Sequence, residues 1–97
     1  MKAFNWNHEK NEILKQERGI SFEAVVFCIE NELLLDIIAH PNQDKYKGQK
    51  IYVVNFNNYA YLVPFLESDS EIFLKTIYPS RKYTKIYLHY SFDEAHL

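Results

Sequence analysis

The spacing of apolar residues along this chain alternates between the period of a strand and the period of a helix, and each change marks an element. Phe4 and Trp6 alternate with polar neighbours across Lys2 to Trp6, which predicts a short strand. From Asn7 to Gly19 the pattern is helical. Asn7 is placed to cap, Gly19 to close the helix in the left-handed conformation, and Ile13 and Leu14 to face inward. Glu9, Lys10, Glu12, Lys15 and Glu17 leave only a thin apolar stripe, so this helix packs on one side. Ser21 caps a second helix ending near Asn31, with Glu23 at the positive end of its dipole. Phe22, Val25, Val26 and Ile29 recur there at three and four.

Strand period returns afterwards. Leu33 to Ala39 is an apolar run broken by Asp36, and His40 to Gln49 is a polar loop. Lys50–Phe56 and Tyr59–Leu66 form a hairpin through Asn57-Asn58, residues that tolerate positive φ. Pro64 has no N–H to donate, so it marks an edge or a bulge. Glu71 to Tyr78 reads as one strand, with Ile72, Leu74 and Thr76 on one face and Phe73, Lys75 and Ile77 on the other. Ser80 caps a last helix from Arg81 to about Tyr90, with Tyr83, Ile86, Tyr87 and Tyr90 along one side. The same residues also alternate as a strand would; helix is the preferred reading. The result is an α+β fold, an antiparallel β-meander sheet with two N-terminal helices and a C-terminal helix packed on it, all on one face. The 97 residues suffice for one domain with one modest core.

Composition narrows the function classes. Hydrophobic residues at 47% and charged residues at 25% belong to a globular domain rather than a disordered tail. The single cysteine, Cys28, excludes an internal disulfide and lies in an apolar run, where it reads as a buried small hydrophobe. No basic-then-apolar leader is present, and no apolar run approaches the roughly 20 residues of a membrane span. A cytoplasmic protein without membrane contact is expected. There is no glycine-rich phosphate loop, paired-cysteine motif or close histidine pair, so neither a cofactor nor a metal is expected. Aromatics at 16% serve either the core or a stacking surface.

The net charge of −2 argues against strong non-specific binding to nucleic acid, but the charges are unevenly placed. Residues 21–72 hold eight acids against three lysines, whereas residues 73–90 hold Lys75, Arg81, Lys82 and Lys85 with no acid. Arg81 and Lys82 sit where a helix begins, and cations there oppose the dipole. A residue that breaks a local rule often serves a site. The free N–H groups of that helix start, with the planar fork of Arg81, suit phosphate.

Phe4-x-Trp6, Lys10, Leu14, Gly19-Ile20-Ser21-Phe22-Glu23 and Ser80-Arg81-Lys82 together resemble the BrnT-type toxins of bacterial type II toxin–antitoxin systems. The resemblance runs from Phe4 to about Tyr87. It implies a RelE-like fold, ribonuclease activity without a metal, and neutralisation by a cognate antitoxin, a DNA-binding protein through which the pair reaches its operator DNA. Where the family often has His before the glycine, this chain has Arg18, which holds phosphate but is a poor proton shuttle.

RNA cleavage by its own 2′-OH needs a base, cations for the charge building on the phosphate, and an acid for the leaving 5′-oxygen. Arg81 is assigned to the phosphate, with Lys75 and Lys82 beside it. His40 and His89 are the candidate acid or base, with Tyr83 as a substitute. Lys10, Arg18, Lys85 and Tyr83 are expected along the path of the RNA, which can be ribosome-associated mRNA. A second reading is a toxin-like module that binds an antitoxin or RNA without cutting. A third is a structural domain, favoured if Lys75, Arg81 and Lys82 lie far apart.

Overall fold

Capping side chains set the first half of the chain. The computed structural model describes residues 2–88. β1 (Ala3–Asn5) leads into α1 (His8–Arg18), where the Asn7 side chain accepts the Lys10 N–H at 2.9 Å. Gly19 closes α1 at φ 67°, a left-handed conformation in which its N–H reaches the Lys15 carbonyl. Ser21 then caps α2 (Phe22–Glu30) by accepting the Ala24 N–H at 3.1 Å. The joint between the helices is polar. Asn11, only 2% exposed, accepts the Phe22 N–H at 2.8 Å and donates to Glu23 at 2.7 Å. It thereby satisfies a donor that the first turn of α2 leaves without a helical partner.

Leu14 is buried as expected, but Ile13 is 47% exposed. Adjacent helix positions point about 100° apart, and the inward line of α1 runs through Asn11 and Leu14, three residues apart.

Five further strands join β1 in the sheet: β2 (Leu34–Ala39), β3 (Lys50–Phe56), β4 (Tyr59–Glu67), β5 (Glu71–Leu74) and β6 (Tyr78–Pro79). The order is β1-β5-β4-β3-β2, with β6 also beside β4. The hairpin turns at Asn57 and Asn58, with φ of 53° and 63°. β2 to β5 pair antiparallel, while β1 pairs parallel with β5. A meander alone does not describe that edge. The two helices carry the chain over the sheet from β1 to the opposite edge, so β1 joins the last long strand instead of the next one.

The strand expected over Glu71–Tyr78 is two strands. β5 ends at Leu74, opposite Phe65, and β6 resumes at Tyr78, opposite Leu62. Between them Lys75 N–H donates to the Pro64 carbonyl at 2.8 Å. In an antiparallel ladder a residue's N–H and C=O face the same neighbour, so the missing donor of Pro64 faces this neighbouring chain. The ladder fails there, and the chain leaves it for Thr76 and Ile77. Ile77, expected opposite Leu74, instead enters the same buried cluster.

The helices occupy both faces of the sheet, not one. Leu14, Phe22, Val25 and Cys28 pack with Tyr52, Val54, Val63, Phe65 and Leu74. α3 (Arg81–Leu88) covers the other face, where Tyr83 and Tyr87 pack on Ile51, Val53, Ala60 and Leu62. Ile51-Tyr52-Val53-Val54 is apolar at every position, which is how a strand covered on both sides reads. Ser80 caps α3 through the Tyr83 N–H at 3.1 Å. The expected apolar side is turned: Thr84 and Leu88 are buried, Tyr83 and Tyr87 half-buried, and Ile86 is 51% exposed. Thr84 hydroxyl accepts the Ala60 N–H at 2.8 Å and donates to the Ser80 carbonyl at 2.7 Å, which fixes the roll of the helix. Tyr90 lies outside the described residues.

Two outcomes follow from these contacts. Asn11→Ala leaves the Phe22 N–H buried without a partner and is expected to cost about 2 kcal/mol, read from the urea midpoint. The second concerns the hydroxyl of Tyr87, which donates to Asp36. That bond holds the Asp36 carboxyl below the usual range and pushes the Tyr87 phenol up. The stability it contributes is present above the ordinary carboxylate value of about 4 and is lost as pH falls through the lowered Asp36 value. At the alkaline end it is full below about 10 and is lost as pH rises through the raised Tyr87 value. The stability gap between wild type and Tyr87→Phe, followed by denaturation across pH, should therefore be flat near neutrality and close at both ends.

Candidate functional site

Alternation along the strands aims a set of polar side chains at the α3 face, at the end of the sheet beyond Ile51. Gln49 is two residues before Ile51, Pro64 two after Leu62, His40 two after Ile38, and each shares its neighbour's face. Lys75 follows the inward Leu74 and so takes the opposite face. These residues, with Tyr46, Thr76 and Tyr78, line an open hollow of about 430 Å³. That volume lies within the range of small-molecule sites. The strand break opposite Pro64 opens one wall, and the loop joining β2 to β3 forms the other.

The loop is held by its own polar groups. His40 N–H donates to the Gln49 carbonyl at 3.0 Å, and Gln49 N–H donates to the Tyr46 carbonyl at 3.0 Å. The Gln43 amide donates to the His40 carbonyl at 2.8 Å and accepts the Gly48 N–H at 3.2 Å. The His40 ring lies against Tyr46, centroids 4.2 Å apart. Its Nδ1 accepts the Asn42 N–H at 3.1 Å. With Nδ1 accepting, neutral His40 carries its hydrogen on Nε2 and presents a donor. A base for a 2′-OH needs the other tautomer.

Among the described residues no carboxylate lines the hollow. Lys75 supplies an ammonium, 5.9 Å from the Phe73 ring centroid, while Thr76 and Tyr78 supply hydroxyls. Burial, and secondarily the charge of Tyr83, push the Tyr78 phenol up, so it stays a donor at neutral pH. The set favours an anion.

His40 and Lys75, 35 positions apart in sequence, are thus brought together. Arg81 and Lys82 do not line this hollow. Ser80 bonds to Ala60 where Lys75 bonds to Pro64, four residues farther along β4. At the rise of a strand this separates the two backbones by roughly 13 Å. Arg81 and Lys82 are exposed at the start of α3, with the Lys82 amine 5.5 Å from the Tyr83 ring centroid. Lys85 is exposed farther along that helix, and Tyr83 stacks on Tyr87 at 6.1 Å. Lys10 is half-buried on α1, on the far side of the sheet. Arg18 donates from its guanidinium to the Ile77 carbonyl, bracing the strand break from the α1 side. His89 lies outside the described residues. Cys28 is buried, donates to the Asn55 carbonyl at 3.3 Å, and burial raises its thiol pKa, as suits an inert cysteine.

A hollow of about 310 Å³ on the opposite face mixes Lys2 and Lys50 with Glu67 and Asp69, and the Lys2–Glu67 ion pair at 2.6 Å occupies its charge. It favours neither sign. Among the described residues no helix is long and apolar enough to cross a membrane. Comparison of the chain with protein-family models, with curated proteins and with solved structures returned no match.

Gln49, Tyr46, Thr76 and Tyr78 were not among the residues singled out by sequence. For Gln49 a signal exists: it continues the alternation of Ile51 and Val53 one step beyond the apolar run. The tautomer of His40 is testable directly. Nitrogen-15 spectra of the imidazole should show neutral His40 protonated on Nε2, and an Nδ1-protonated ring would remove the Asn42 contact as its cause.

Proposed function

We propose that this chain is an endoribonuclease of the BrnT toxin type, cutting RNA without a metal, with the hollow between His40 and Lys75 seating the phosphate it cuts. The observation that supports this reading is the make-up of the hollow: an ammonium, an imidazole N–H and the hydroxyl-bearing Tyr46, Thr76 and Tyr78 line it, with no carboxylate among the described residues there. Donors fixed in place before reaction stabilise the charge that builds on a phosphate under attack, and such donors are often the largest single contribution to catalysis. In this reading Arg81 and Lys82, at the other end of the strand break, take flanking phosphates of the same strand. A cognate antitoxin as partner, ribosome-associated mRNA as one substrate and a cytoplasmic home rest on the resemblance in Phe4-x-Trp6, Gly19-Ile20-Ser21-Phe22-Glu23 and Ser80-Arg81-Lys82.

One observation favours a second reading. His40 presents a donor, and among the described residues the hollow contains no committed base for the 2′-OH. A module that holds RNA without cutting it fits that feature.

Purified protein with EDTA and a labelled single-stranded RNA separates the two. The proposal expects cleavage, with kcat/KM falling about 100-fold in Lys75→Ala, the scale of losing one fixed donor to a developing charge. Arg81→Ala should act mainly on KM and flatten the salt dependence. RNA binding without cleavage by folded wild type would establish the binding module. Cleavage unaltered in both Lys75→Ala and His40→Ala would place the site elsewhere.

A further inference from the structure

Besides its cation and hydroxyls, the hollow is lined by one side-chain amide that the fold does not use. The other two side-chain amides of the loop between β2 and β3 are committed: Asn42 accepts the Lys45 N–H at 3.2 Å, and both ends of the Gln43 amide are bonded within the loop. Gln49 differs. The residue is half-buried and its backbone is bonded on both sides, yet its side-chain amide has no protein partner among the described residues. Strand alternation directs it to the hollow, between the His40–Tyr46 ring pair and Lys75.

An amide offers a donor and an acceptor side by side in one plane. That is the pattern of a nucleobase edge, and it differs from what a phosphate needs, which is donors alone. Protein recognition of RNA sequence acts on unpaired bases, splayed out, stacked on aromatic rings and hydrogen-bonded along their edges. The hollow supplies these parts separately: aromatic rings on one wall, a cation on the other, an uncommitted amide between them. The A-form duplex hides its major-groove base edges where side chains cannot enter, and its shallow minor groove is recognised mostly by shape. An amide set in a hollow therefore suits a base that has left its helix.

We propose that Gln49 is the specificity-determining residue of this site, reading the edge of one unpaired base in single-stranded RNA whose phosphate is held by Lys75. This rests on the ribonuclease or RNA-binding reading given above for the same hollow. Substituting Gln49 removes no side-chain hydrogen bond among the described residues, so the fold is expected to survive, with circular dichroism and the urea midpoint as controls.

The experiment maps cleavage positions on a single-stranded RNA containing all four bases in every context, with EDTA present. In parallel it measures binding of short oligomers of A, C and U. Wild type should prefer one base over the others by about tenfold, the scale of one bidentate base contact. Gln49→Ala should lose that preference at whatever rate it retains. Gln49→Glu, which keeps the acceptor and loses the donor, should move the preference toward bases presenting an amino group at the edge. Wild-type preference retained in Gln49→Ala overturns the proposal. If wild type binds RNA without cutting it, the cleavage reading fails alone, and the oligomer affinities decide: equal wild-type affinity for A, C and U overturns the role of Gln49. If wild type neither cuts nor binds, both fall together.

Discussion

A missing hydrogen on one backbone nitrogen shapes the working end of this fold. Pro64 stands inside β4, the strand with neighbours along most of both sides, and its nitrogen faces the chain that would continue β5. The ladder can accept a bond there, from Lys75, but cannot return one. From that asymmetry the rest follows in order. β5 stops, Thr76 and Ile77 leave the plane, Ile77 turns into the core beneath α1 and α2, and Lys75 is left on the opposite face beside the hollow. β6 then resumes the pairing and sets the start of α3. Arg18, reaching from the end of α1 to the Ile77 carbonyl, satisfies an acceptor that the interrupted ladder leaves over.

Much of this architecture is legible in the sequence. Asn7, Gly19, Ser21, Ser80 and the Asn57-Asn58 pair act through local chemistry, and each does in the structure what its residue type predicts. The misreadings occur where a distant neighbour decides. Ile13 and Leu14 are equally apolar; the sheet beneath chooses Leu14, and the α2 N-terminus draws in Asn11. The continuity of Glu71–Tyr78 looks sound until Pro64, on another strand, is paired with it. The side of the sheet taken by α3 could be read only from Ile51-Tyr52-Val53-Val54, whose unbroken apolar run already asks for cover on both faces.

The site shows the same division. Lys75 and His40 can be selected by residue type, but their meeting depends on strand register, which the sequence does not display. Arg81 and Lys82 draw attention because they oppose a helix dipole, and the fold sets them at the other end of the strand break from the hollow. For Gln49 the alternation of Ile51 and Val53 gives only its face, and residue type at the end of a polar loop adds nothing to it. This glutamine becomes conspicuous only when its neighbours' bonds are accounted for and its amide is the one left over.

Both margins of the sheet are kept from recruiting further strands. β1 is three residues long, too short to template an added chain. β2 carries an irregularity between Leu34 and Asp36, and the Asp36 carboxylate takes the Ile37 N–H at 2.7 Å while bonded to Tyr87. A charged, kinked margin is a poor seed for edge-to-edge aggregation. With the margins so disfavoured, the open hollow at the end of the α3 face is the more accessible surface for a docking molecule.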